Sequence, residues 1–234
     1  VQAARDDHYA FSWGDALFVV LDPYWNTSPK PGPTTCWNWT LGTNQYQWLQ
    51  QTLAQSSATY KFVFIHNLVG GSFDGAARGG LEYAPYFEWG GANSNGTPGF
   101  ASYRPGWAMP IQNLLISNKV NAVFHGHDHL FVKQDLDVNG DGLPELIYQE
   151  CPQPSATNYN TTSTAASYGY SNGVVQGNSG YLRVRVTSAR ATVEYVRAYL
   201  PESEGLGKTN GMVTYSYTIA GAEPERTNWS LPDT

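Results

Sequence analysis

Charge is scarce in this chain, and cysteine, methionine and histidine are scarcer still. Of 234 residues only 14% are Asp, Glu, Lys or Arg, against 41% hydrophobic. That balance excludes a charged, disordered chain, which has too little apolar surface to offset the entropy of ordering. The 13 basic residues form no run and the formal net charge is −6, so the basic patch of a nucleic-acid-binding protein is missing. No apolar stretch reaches the ~18 residues that a membrane-spanning helix needs. The opening segment, VQAARDDHYAF, lacks the order of a signal peptide. In a secreted protein that signal would lie upstream or have been removed.

The two cysteines, Cys36 and Cys151, fit one disulfide or two buried thiols. Five Asn-x-Ser/Thr sequences stand at Asn26, Asn38, Asn95, Asn160 and Asn228 as candidate glycosylation sites, two of them followed directly by Pro29 and Pro98. Together with few lysines and many aromatics they point to an extracellular or secreted protein. A disulfide between Cys36 and Cys151, expected in that setting, would close a long loop and stabilise by about 2–4 kcal/mol.

What is present reads as alternating strands and helices. HYAFSWGDALFVVLD predicts a hairpin turning at Gly14-Asp15. TNQYQWLQQTLAQS predicts a helix with Trp48, Leu49, Thr52 and Leu53 on one face and Thr43 or Asn44 as cap. YKFVFIH reads as a buried strand ending in His66. A Gly-rich region from Val69 to Gly106 follows, with a short helix around residues 81–87; loops this long usually carry function. WAMPIQNLLISN predicts a helix with Ile111, Leu114 and Leu115 inward, and VNAVF a strand that runs straight into His125, His127 and His129. Ligands in such βαβ arrangements sit at the carboxyl ends of strands, and histidines occupy that position twice. The C-terminal part, with LFVKQDLD, PELIYQE, GYLRVRVTS, ATVEYVRAYL and MVTYSYTI, reads as further strands and a second sheet packed on the first.

Neutral imidazole is a good ligand for Zn, Fe or Mn. On a helix His127 and His129 would diverge, but in an extended loop after a strand both can face one cleft, with His66 arriving from another strand. Three nitrogens alone make a poor site for hard ions, and paired cations need bridging carboxylates as well. The plain alternative is a set of loop histidines packed on aromatics.

VNAVFHGHDH resembles the last signature of the calcineurin-like metallophosphoesterases, and YKFVFIH resembles the histidine signature before it. HYAFSWGDALFVVLD and QWLQQTLAQS are similar to the strand pair and helix that follow the Gly-Asn-His signature in secreted, purple-acid-phosphatase-like members. The resemblance runs in order from residue 8 to about residue 200. It implies an α/β fold, a two-sheet β-sandwich flanked by helices in four layers, with residues 1–234 a single domain whose N-terminal part is missing. It implies a metal-dependent phosphoester hydrolase, a phosphatase or phosphodiesterase with two divalent or trivalent transition metals (Fe, Zn or Mn). His66 and His127 would hold one ion and His129 the other. The family's Asp-x-His, Gly-Asp and Gly-Asn-His signatures are not matched. Asp6-Asp7-His8 and Gly14-Asp15 imitate two of them but lead into a strand or sit in a hairpin turn, so no catalytic residue is assigned. The expected partners are a phosphorylated small molecule or other phosphoester and the missing N-terminal portion of the same protein. The competing reading is a non-catalytic extracellular binding or assembly module derived from a phosphatase.

Three further features have two readings each. DVNGDGLPE places Asp137, Asn139, Asp141, Leu143 and Glu145 at calcium-loop spacing, yet Asn-Gly and Asp-Gly are strong hairpin signals. Arg78 and Arg104 can meet a phosphate or be plain surface arginines. Trp89 and Trp107 can line a pocket or cover the core.

Overall fold

The computed structural model of the chain describes residues 7–24, 26, 32, 35–72, 78–154 and 162–221. Four runs rich in β-branched and aromatic residues form the middle of the main sheet. They are β2 (Ala16–Val20), β3 (Tyr60–Phe64), β4 (Ala122–His125) and β6 (Leu146–Glu150), all mutually parallel in that order. Continuous apolar runs suit such strands because both faces are covered. Lys61, inside β3, is buried, and its ammonium reaches the carbonyls of Leu53 and Asn118 at 3.4 and 2.9 Å.

The edges are antiparallel. β1 (Tyr9–Trp13) pairs with β2 through the expected hairpin, and β5 (Phe131–Leu136) pairs with β6 on one side and β7 (Val174–Gln176) on the other. The seven-stranded order is β1-β2-β3-β4-β6-β5-β7. A separate three-stranded sheet joins β8 (Gly180–Val186), β9 (Arg190–Arg197) and β10 (Val213–Ala220) in the order β10-β9-β8.

Helices cover one face of the large sheet. Leu49 and Leu53 of α1 (Gly42–Gln55) pack on Val19, Val63 and Val123, beside Ile111, Leu114 and Leu115 of α4 (Ile111–Ser117). Between them lie the short helices α2 (Phe87–Gly90) and α3 (Phe100–Tyr103). The small sheet covers the other face, where Ala191, Val193 and Ile219 meet Phe62, Phe124 and Ile147. Truncating a buried leucine such as Leu49 to Ala in a core of this kind costs about 2–5 kcal/mol.

Three expectations change. Helix α1 starts a residue before Thr43 with no side-chain cap, and its inward stripe is Gln45, Tyr46, Leu49 and Leu53, rotated from the predicted one. The short helix in the Gly-rich region begins at Phe87, and residues 81–85 are turn. Of the four layers expected, the described residues make three: the helices, the seven-stranded sheet and the three-stranded sheet. On the small sheet the cross-strand partners Arg183 and Glu194 pair at 2.7 Å, with Arg185 at 3.9 Å. Among the described residues no helix is long and apolar enough to cross a membrane.

Glu82 anchors the loop that follows residue 162. Its carboxylate accepts the amides of Ser171 and Asn172 at 2.8 and 3.0 Å and the side-chain amide of Gln134 at 2.8 Å. Burial pushes this carboxyl up, but the hydrogen bonds from Gln134 and Ser171 outweigh it and hold the group below its ordinary value of 4.5. A depressed carboxyl contributes stability above its unfolded pKa and loses it as pH falls through the folded one. Glu82→Gln should therefore cost about 1–2 kcal/mol at neutral pH, discounted because the group is half exposed. Urea unfolding at neutral pH and near pH 3 checks this, and an equal gap at both rejects it.

Candidate functional site

Register places the first two histidines together. Phe64 stands opposite Phe124 in the parallel β3–β4 pair, and the ladder continues past both strands. The Ile65 amide donates to the Phe124 carbonyl at 3.0 Å, and the Gly126 amide to the His66 carbonyl at 2.8 Å. His127, the next residue, turns back so that its Nδ1 lies 3.3 Å from His66 Nε2, with the ring planes at 90°. The turn is left-handed at two non-glycine positions, φ +92° at His127 and +61° at His129. Such conformations cost on the order of 1–3 kcal/mol each and persist only where surrounding contacts over-determine them.

Two imidazole nitrogens bound at ~2.05 Å to one tetrahedral cation stand ~3.3 Å apart. The observed 3.3 Å between His66 and His127 fits that spacing. Without a cation the same geometry is an imidazole–imidazole hydrogen bond, one neutral ring donating to the other. Burial, then the neighbouring His129, pushes His66 below its ordinary pKa, while Asp128 acts in the opposite sense. A neutral His66 keeps its lone pair available at neutral pH. Among the described residues no group of three or more His, Cys, Asp or Glu side chains is arranged to hold a metal ion. The pair therefore fits part of one coordination sphere, and the described residues do not complete it.

Beneath the loop lies a buried polar layer. Asp128 is fully buried; its carboxylate receives Arg78 Nη1 and the Gly79 amide at 2.8 Å and the Tyr170 hydroxyl at 3.0 Å. Glu150 is also fully buried; its Oε1 accepts the amides of Asp128 and His129 at 2.9 and 3.2 Å, and its Oε2 lies 2.8 Å from His125 Nδ1. Burial, reinforced by Asp128, pushes the Glu150 carboxyl well up, against the two amides. Burial also pushes His125 down to about 4, with Asp128 and Glu82 opposing. Burial thus disfavours the charged form of both members of this 2.8 Å contact. His125 belongs to this layer and not to the His66–His127 pair. Sequence reasoning passed over Glu150 and Tyr170. For Glu150 the available signal was Gln149-Glu150 closing an otherwise apolar strand.

The remaining predicted residues fall elsewhere. Arg78 is turned onto Asp128 and stacks 3.8 Å above the Tyr168 ring. Arg104 is engaged within the chain. It is paired with buried Glu88, donates to the Trp37 carbonyl, and reaches the Tyr103 carbonyl at 2.8 Å. Trp89 is core, its indole N–H donating to Tyr148 at 2.8 Å, and Trp107 stacks on Tyr46.

The segment from Asp137 to Glu145 is the β5–β6 hairpin, and its acceptors serve the turn's own amides. Asp137 takes Gly140 and Gly142 at 2.7 and 2.8 Å, Asn139 takes Asp141 at 2.9 Å, Asp141 takes Leu143 at 2.8 Å and Glu145 takes Val138 at 2.6 Å. The Cys36–Cys151 disulfide is corrected: the two sulfurs are not bonded to each other, and Cys36 Sγ reaches the Ser72 carbonyl at 3.9 Å. Cys36 packs with Trp37 and Phe87, whereas Cys151 lies against the other core cluster beside Phe124. Of the glycosylation candidates, Asn26, Asn38 and Asn95 are exposed. Asn26 donates its amide to the Leu41 carbonyl at 2.6 Å and fills the space a side chain on Gly42 would need. Asn160 and Asn228 lie outside the described residues.

No family model and no curated protein sequence matches the chain. Similar solved structures exist. The purple acid phosphatase PPD1 from yellow lupin (Lupinus luteus) seeds aligns with TM-score 0.54 and 16% identity over 91% of this chain and 32% of that one. PhoD aligns with TM-score 0.52 and 18% identity over 92% and 42%. GAP50, the anchor in the inner membrane complex of Plasmodium, aligns with TM-score 0.51 and 14% identity over 93% and 55%. The fold is thus phosphatase-like, and the chain spans between about a third and just over half of the length of these proteins.

Alkylation of the unreduced, denatured chain should modify both cysteines, read as two added groups in the intact mass. An unmodified mass would restore the disulfide.

Proposed function

We propose that this chain carries the histidine side of a dinuclear metal centre in a phosphoester hydrolase, a phosphatase or phosphodiesterase. One observation carries the reading: His66 Nε2 and His127 Nδ1 face each other at 3.3 Å just beyond the carboxyl ends of adjacent parallel strands. The likeness to the fold of two phosphatase structures supports the class of reaction. In this reading His66 and His127 are ligands of one Fe, Zn or Mn ion and His129 of a second. The carboxylates come from the N-terminal portion of the same protein. Paired cations, when bound, neutralise phosphoryl charge and acidify a water. The chain's part is to present imidazoles on a strained, heavily anchored loop and so fix the spacing between donors. The substrate is a phosphorylated small molecule or another phosphoester, and the protein works outside the cell.

A second reading is favoured by the likeness to GAP50, described as an anchor. Here the chain is a non-catalytic extracellular assembly module and the two histidines simply hydrogen-bond each other. The outer strand β1, with Tyr9, Phe11 and Trp13 exposed, would be its contact edge.

Zinc uptake separates the two. Competition against a chromophoric chelator should show the full chain binding Zn²⁺, and His127→Ala weakening it at least about tenfold, some 1.4 kcal/mol. A wild-type chain indistinguishable from the His66→Ala/His127→Ala double variant discards the enzyme reading in favour of the module.

A further inference from the structure

Two consecutive backbone amides point at one oxygen atom. Asp128 and His129 both donate to Glu150 Oε1, at 2.9 and 3.2 Å. Left-handed residues stand at 127 and 129, φ +92° and +61°, with 128 between them outside that region. Alternation of hand turns successive N–H groups inward and makes a concave nest that takes an anion or a carboxyl oxygen. Nests of this kind commonly face a ligand, whereas this one is filled by a side chain of the same fold. Glu150 is fully buried, ends β6 directly opposite His125, and rests its second oxygen 2.8 Å from His125 Nδ1. The His127 ring turns to His66, its Nδ1 3.3 Å from His66 Nε2. His127 and His129 are partly exposed, while Asp128 between them is fully buried.

The geometry points to Glu150 as a positioning residue. By filling the nest it holds His127 and His129 in the left-handed conformation that aims both rings at the cation site. The aim toward a cation rests on the metal reading proposed above, whereas the hold on the loop does not need it. Glu150 itself touches neither substrate nor metal. The Asp128 carboxylate, tied to Arg78, Gly79 and Tyr170, braces the same loop from its own side and leaves both amides to Glu150.

Two variants of the full chain test this. Glu150→Gln keeps an oxygen for both amides, and Glu150→Leu fills a similar volume with no acceptor. Amide hydrogen exchange at Asp128 and His129 should stay near wild type in the glutamine variant. In the leucine variant it should speed up by about tenfold or more while the core strands keep their protection. Zinc affinity should fall by about 10–100-fold with leucine and recover with glutamine. Unchanged exchange at 128 and 129 in Glu150→Leu, or a folded Glu150→Gln as impaired as it, overturns the proposal. If the leucine variant does not fold, exchange at these two amides in Glu150→Gln decides: retained protection supports the role and lost protection refutes it. A wild-type chain that takes up no Zn²⁺ refutes the metal reading instead, and the exchange result alone then rules on Glu150.

Discussion

A carboxyl group deep inside a protein must find donors or give up its charge, and this fold places two of them side by side. Asp128 stays in the interior by collecting a guanidinium, an amide and a hydroxyl. Glu150 stays by accepting two amides at one oxygen, while burial raises its pKa and favours its neutral form. The strained backbone of the histidine loop exists because those demands are met together. The Gly-rich segment supplies Arg78 and Gly79, the loop after residue 162 supplies Tyr170, and Glu82 in turn pins that second loop. The histidine pair at the surface is the outward face of this inner arrangement.

Much of the scaffold was legible in the residues. The parallel strands announce themselves as short apolar runs rich in Val, Phe and Tyr, and the hairpin of β1 and β2 by its Gly-Asp turn. Strand-terminal histidines predict a shared location because parallel register aligns strand ends, and His66 and His127 do meet. Other features were illegible for physical reasons. The start of α1 is set in part by a partner distant in sequence: the Leu41 amide bonds buried Glu88, while the Gly42 amide bonds the nearby Thr40 hydroxyl. Cys36 and Cys151 end in separate clusters, which no count of cysteines reveals. The acidic hairpin after β5 has one spacing that satisfies both a cation loop and a turn, and its side chains accept the turn's own amides. Glu150 escaped notice because a strand-end acid looks solvent-facing until the neighbouring strand is known.

The comparisons sharpen what the scaffold does and does not decide. A plant purple acid phosphatase and a membrane-complex anchor both share this fold with the chain at 14–16% identity. An architecture that serves such different described roles leaves the assignment to the site itself. What this site offers is a pair of nitrogen donors at ligand spacing over a buried polar layer.

The packing of Asn26 has a consequence for biogenesis. Its amide nitrogen is held by the Leu41 carbonyl, and its side chain occupies the space over Gly42 at the head of α1. Asn26 is exposed like Asn38 and Asn95, so a transferase can approach all three, but at Asn26 it has to take the nitrogen from the Leu41 carbonyl and a sugar there would give up the bond that sits at the head of the helix.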